Sequence, residues 1–175
     1  MSFKDLVLKR ESCRDYDGRP VPHDVLLDIM KTACLAPSAC NSQPWKLIAA
    51  EGEVAKQISR DIIKSGRNQF CENVGSFIVL CETPATLRAF VNKESQYYAQ
   101  MDLGMMTMAL TLAAADAGLS TCILGLFDED SVRKTLNIPA EIPIRLIISV
   151  GYAAKEGVRD KIRKDESETI SFDRW

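Results

Sequence analysis

Residues 101–117 constrain the fold of this chain more than any other stretch. Met101, Met105, Met108, Leu112 and Ala115 recur at helical spacing, while Leu103, Met106, Ala109, Leu110 and Ala113 fill the other faces. A helix that is apolar nearly all round must be covered nearly all round. In a chain of 175 residues, that is most easily met by packing against the chain's own sheet and against a second subunit. Asp102, Gly104, Thr107, Thr111 and Asp116 interrupt the run. It therefore falls short of the roughly 18 consecutive apolar residues that suggest a membrane span, and Gly118 is a good terminator.

The flanking elements follow from pattern and punctuation. Ser2 and Asp5 form a capping box with Asp in the acidic position, opening a short helix to about Lys9. Asp17-Gly18 is a turn. Pro22 opens a second helix whose buried stripe is Val25, Leu26, Ile29, Met30 and Ala33, and Pro37 prevents its extension past Ala36. Residues 46–50 read as a strand. Val54, Ile58 and Ile62 mark a third helix ending near Gly66. Residues 77–81 are wholly apolar, as expected of a strand buried on both faces. Residues 84–94 read as a loop or short helix covering something. A strand at 120–124 and a helix capped by Asp128 and running to Leu136 come next. In the last strand Ile144, Leu146, Ile148 and Val150 alternate with Arg145, Ile147 and Ser149. The final 25 residues are polar, yet Ile170, Phe172 and Trp175 give the tail an apolar spacing that implies docking. The reading is one domain over 1–175, with 152–175 as a C-terminal arm.

Composition narrows the function classes. A net charge of −2, with no blocks of one sign, gives no reason to expect nucleic acid or an anionic membrane as partner. The opening decapeptide lacks the apolar core of a secretory signal. Six cysteines include no C-x-x-C, and one histidine is present. Common zinc spacings are therefore absent. The cysteines read as reduced, mostly buried thiols of a cytoplasmic protein. His23, beside Pro22 at a helix start, reads as a surface residue. There is no G-x-G-x-x-G, P-loop or G-x-S-x-G elbow, so side-chain nucleophiles and dinucleotide folds give way to borrowed cofactor chemistry.

Two stretches offer a place for such a cofactor. Arg10, Ser12 and Arg14 alternate, so on extended backbone they share one face. Two guanidinium groups flanking a hydroxyl fit a phosphate and a sugar-like chain; the same pattern also fits a solvated charged surface. Between Pro37 and Pro44, the side chains of Ser38, Asn41, Ser42 and Gln43 offer hydroxyls and amides. Such a loop can read the donor–acceptor edge of a flavin ring, or it can simply satisfy its own backbone.

Arg10-Glu11-Ser12-Cys13-Arg14, followed by Ala36-Pro37-Ser38-Ala39-Cys40-Asn41-Ser42-Gln43-Pro44-Trp45, resembles the opening signature of the nitroreductase family, R-x-S-x-[RK] and then A-P-S-x-x-N-x-Q-P-W. The resemblance continues at Gly118-Leu119-Ser120-Thr121-Cys122, at Gly151-Tyr152, and from Arg163-Lys164 to Phe172-Asp173-Arg174-Trp175. It implies an α+β fold with a central mixed sheet flanked by helices. It also implies an interlocked homodimer with exchanged C-terminal arms, and two FMN sites built from both chains. By the same resemblance, Arg10, Ser12 and Arg14 contact the phosphate, ribityl chain and pyrimidine side. Arg163, with Lys161, completes the phosphate site. Ser38 and Asn41 meet the ring, with Pro37 and Ala39 lining it through backbone. Ile123, Leu124 and Gly125 pass the flavin through backbone N–H groups, and Asn68 is a polar contact to the ring. Trp45 is a core or interface aromatic.

The implied activity is ping-pong transfer of hydride from NAD(P)H through the flavin to a nitroaromatic, quinone or related small acceptor. No residue is assigned a covalent or acid–base role. Arg14 is the candidate electrostatic stabiliser of the reduced flavin. The alternatives are a non-turnover FMN electron-transfer protein, or a reductive dehalogenase-like or flavin-destroying member of the superfamily. Two departures bear on substrate. The stretch 84–96 is a shorter cover than the family usually has, and Leu124 is apolar near a position where several members are acidic.

Overall fold

The computed structural model describes residues 2–64, 66–88, 94 and 96–175. Helix α1 spans Phe3–Lys9 and opens with the expected capping box, Ser2 and Asp5 bonding each other's backbone N–H. Helix α2 spans His23–Ala33 with Pro22 as its N-cap. Strand β1 is Trp45–Ala50, helix α3 Gly52–Ile63 and strand β2 Ser76–Glu82. Helix α4 covers Ala99–Asp116, strand β3 Ser120–Leu124, helix α5 Glu129–Leu136 and strand β4 Ile144–Gly151. Short 3₁₀ turns lie at Ala39–Asn41, Gln69–Asn73 and Glu166–Glu168. The stretch 84–88 is irregular, and residues 89–93 and 95 of the expected cover lie outside the described residues.

The four strands form one sheet in the order β1-β2-β4-β3, and with the helices packed on it the fold is α+β. Its three ladders are antiparallel. The expected mixed character is thus reduced, among the described residues, to an isolated parallel bridge between Ser12 and Thr121. Side-chain alternation divides the core into two layers. Phe77, Val79, Cys81, Leu124 and Ile147 face α3 and α5. Ile78, Leu80, Ile148 and Val150 face α2 and α4. All of β2 is buried, as a strand covered by helices on both sides must be.

The alternation expected for β4 breaks at its start. A register shift at Leu80/Cys81 pairs Cys81 with Ile144. Ile144 therefore joins the layer of Ile147 rather than that of Leu146. An extra residue in one strand of an antiparallel pair shifts the side-chain phase in this way.

Helix α4 buries Leu103, Met106, Leu110 and Ala114 against the sheet. Its opposite stripe is open. Met101, Met105 and Met108 are 57%, 43% and 40% exposed, and Gly104 between them is exposed too. Among the described residues, the coverage expected on all sides is not supplied. Nor does the chain cover its own tail, where Phe172 and Trp175 are 87% and 115% exposed.

Candidate cofactor site

The segment after α1 is fastened along the free side of β3. Cys13 N–H donates to the Thr121 carbonyl at 2.9 Å, next to the Ser12–Thr121 bridge. Tyr16 pairs with Ala153, and its buried hydroxyl lies 2.9 Å from Ser149 Oγ. Close packing of this segment requires glycine nearby. A Cβ on Gly75 would sit 2.2 Å from the Arg19 carbonyl oxygen. Because the Ser12 bridge is parallel, Arg10, Ser12 and Arg14 are laid out in the direction in which β3 runs toward Ile123.

Arg10, Ser12 and Arg14 line one cavity of about 390 Å³ together with Lys161 and Arg163. A larger adjoining cavity of about 830 Å³ shares the first three and continues to Gly118 and Tyr152. Lys161 Nζ donates to the Arg10 carbonyl at 2.6 Å. Burial, and then repulsion from Arg10, holds the Lys161 ammonium below its ordinary pKa; Arg163 and Arg159 add to the repulsion, while Glu11 opposes it. Arg159, which the sequence reading missed, clamps the segment. It meets Glu11 Oε2 at 2.8 Å through Nε and the Ser12 carbonyl at 2.8 Å. Among the described residues, Arg10, Arg14, Lys161 and Arg163 enter no ion pair. Basic side chains gathered from both ends of the chain thus outnumber the acidic Glu11 and Asp160 around one space, an excess of positive charge that favours an anion.

The loop from Pro37 to Pro44 is held in an uncommon backbone. Cys40, Asn41 and Gln43 all have φ near +50° (54°, 54° and 48°), which non-glycine residues seldom adopt. Part of its polarity is spent internally. Ser38 Oγ accepts from Gln43 N–H at 2.9 Å, and the Gln43 amide donates to Asn41 at 3.3 Å. The Asn41 amide NH₂ and the Ser38 O–H remain as donors. Ala39 N–H is bonded by the carboxylate of Asp102, a residue outside the sequence motifs. Ser42 Oγ accepts from Thr86 N–H at 2.7 Å, tying the stretch after β2 to the loop.

Beyond β3, Asn68 adopts a left-handed conformation and donates from Nδ2 to the Leu126 carbonyl at 2.9 Å. It thereby holds the strand end at Gly125. Leu124 is buried in the core, so only its backbone is available there, whereas Ile123 is exposed.

The residues singled out in sequence thus fall into three groups. Arg10, Ser12, Arg14, Lys161 and Arg163 stand together. Asn68 and the segment 123–125 form a second group, linked to the first along β3. The loop carrying Pro37, Ser38, Ala39 and Asn41 is separate. It hangs from Asp102 in the first turn of α4, while Lys9, next to Arg10, bonds the Ala115 carbonyl in the last turn. At about 1.5 Å per residue these two points of α4 lie roughly 20 Å apart. His23 is a surface residue paired with Glu51 at 2.9 Å. Among the described residues no cluster suits a metal ion, and no helix is long and apolar enough to cross a membrane.

The chain matches the model of the family described as "Nitroreductase family" over residues 7–152. A protein of Archaeoglobus fulgidus, provisionally named NADH dehydrogenase/NAD(P)H nitroreductase, is 30% identical over 159 residues, covering 86% of this chain and 85% of that protein. The iodotyrosine deiodinase of Thermotoga neapolitana is 28% identical over 162 residues, covering 85% and 87%. Among solved structures, a nitroreductase family protein from Clostridium difficile 630 superposes with a TM-score of 0.80 at 26% identity, covering 100% of both chains. One from Exiguobacterium sibiricum, solved in complex with FMN, gives 0.84 at 20% identity, covering 98% of this chain and 97% of that one, a likeness of fold.

Proposed function

This chain belongs to the nitroreductase family, and from that premise we propose that it is an FMN-dependent NAD(P)H oxidoreductase working as a homodimer. The observation that carries the reading is the set of four cations, Arg10, Arg14, Lys161 and Arg163, that line one cavity and enter no ion pair among the described residues. A phosphate monoester supplies the charge they lack. The relatives' names, NADH dehydrogenase and NAD(P)H nitroreductase, and the FMN of the Exiguobacterium structure agree with it.

When bound, FMN would supply two-electron redox chemistry between NAD(P)H and a nitroaromatic, quinone or related small acceptor in alternating half-reactions. The chain's residues bind and orient. Arg10, Lys161 and Arg163 hold the phosphate end, and Ser12 serves the sugar-like chain. Arg14, two residues beyond Ser12 in the direction β3 runs, would serve the ring side, where a fixed positive charge stabilises developing negative charge. Backbone N–H groups at Ile123, Leu124 and Gly125 and the amide of Asn68 serve one ring edge. The loop with Pro37, Ser38, Ala39 and Asn41 serves the other.

The separation along α4 supports a site shared by two chains. Two copies packed antiparallel across the Met101, Met105 and Met108 stripe would bring the loop of one copy to the cation cluster of the other. The exposed Ile170, Phe172 and Trp175 would then extend the interface as an arm. Four of the six cysteines are buried, and the reading keeps them as thiols in a reducing compartment such as the cytoplasm.

The test is to purify the protein, record the flavin spectrum and add NADH or NADPH without air. Bleaching that recovers on adding a quinone is the expected result, and a protein that takes up no flavin refutes the reading. The deiodinase relative favours a second reading. A flavin untouched by either nicotinamide, but able after dithionite reduction to release iodide from iodotyrosine, would establish that one instead.

A further inference from the structure

Asp102 is the most unusual charged group in the molecule. It is 2% exposed, and it forms no ion pair among the described residues. Both of its carboxylate oxygens lie 3.2 Å from a single donor, the Ala39 N–H. A carboxylate offers about four acceptor positions, and among the described residues a single shared N–H serves them, a thin shell for a buried group of this kind. Its place in the first turn of α4 adds the favourable end of the helix dipole. Burying a charge this way is costly unless something specific is gained.

What it holds indicates the gain. Ala39 begins the turn in which Cys40, Asn41 and Gln43 are left-handed. Such backbone persists only where its surroundings over-determine it. Asp102 ties the front of that turn to the most buried helix of the fold, while Ser38 Oγ closes the turn from behind.

We infer that Asp102 is a positioning residue of the flavin site: it fixes the Ala39 turn against the ring, and its charge opposes reduction of the flavin. The inference rests on the reading that this loop lines FMN. Reduced flavin is anionic at neutral pH, so a fixed negative charge beside it disfavours the reduced form. Arg14 acts in the opposite sense, and the pair would set the flavin's potential between them.

Asp102→Asn separates the two contributions, because the amide oxygen still accepts from Ala39 N–H while the charge is gone. The expected result is an unchanged melting temperature of the FMN-loaded protein. Reduced FMN should tighten at least tenfold relative to oxidised FMN, which is a rise of about 30 mV for a two-electron couple. An unchanged potential overturns the charge role. Should that variant fail to fold, Ala39→Pro removes the donor and leaves the carboxylate in place. It should weaken oxidised FMN at least tenfold in a fluorescence titration, and undiminished affinity overturns the anchoring role. Wild-type protein titrated in parallel keeps the two levels apart. No flavin uptake by wild type defeats the FMN reading itself, whereas normal uptake with unaffected variants defeats only the role of Asp102.

Discussion

At the scale of residues, the phosphate assignment makes a direct claim. Charge-assisted hydrogen bonds contribute about 1.5–3 kcal/mol each, so Arg10→Ala combined with Arg163→Ala should weaken FMN binding by several kcal/mol. Equilibrium titration of the apoprotein checks this, and unchanged retention counts against the assignment. The thiols give a second test. Burial pushes Cys71 up to about 12 and raises Cys81 and Cys122 as well, the last against the pull of Arg14 and Ser12. A thiol reagent at neutral pH should find at most two fast-reacting cysteines in the native protein, Cys34 and Cys40, which are the exposed pair. Four fast thiols would show the core to be looser than described. The alternation of Arg10, Ser12 and Arg14 was legible in sequence because extended backbone has a period of two and needs no partner to reveal it. Asp102 and Arg159 were not, since their partners lie 63 and 148 positions away. An aspartate inside an apolar helix reads only as an interruption.

At the scale of elements, most boundaries could be read from caps, prolines and periodicity, because these are local. The capping box of α1, the Asp128 cap of α5 and the buried run of β2 are all realised. The antiparallel pairing and the shifted phase of Ile144 depend on neighbouring strands, so nothing within β4 announces them. The covering of α4 was legible as a demand without its source. The segment that carries Arg10 and Arg14 depends on Gly75, where a methyl group would collide with the Arg19 carbonyl. Gly75→Ala should destabilise the fold by about 1–3 kcal/mol, the usual range for overpacking, measured by urea unfolding. It should also lower flavin affinity, because the Arg19 end of the segment must shift away from the start of β2.

At the scale of the whole molecule, the open methionine stripe and the uncovered tail make the same demand. Met105→Glu places a charge in the centre of that stripe and should leave the protein monomeric in sedimentation. Deleting residues 170–175 should lower the melting temperature and make it more dependent on protein concentration, as expected when assembly contributes to stability. A truncated chain with unaltered dimer affinity would remove the arm from the interface. The span of α4 between Asp102 and Ala115 has a kinetic consequence as well. If neither copy owns a complete pocket, holding the cofactor becomes a bimolecular property. Progressive dilution should then release flavin and partner together, and turnover per mole of chain should fall as the stock is thinned.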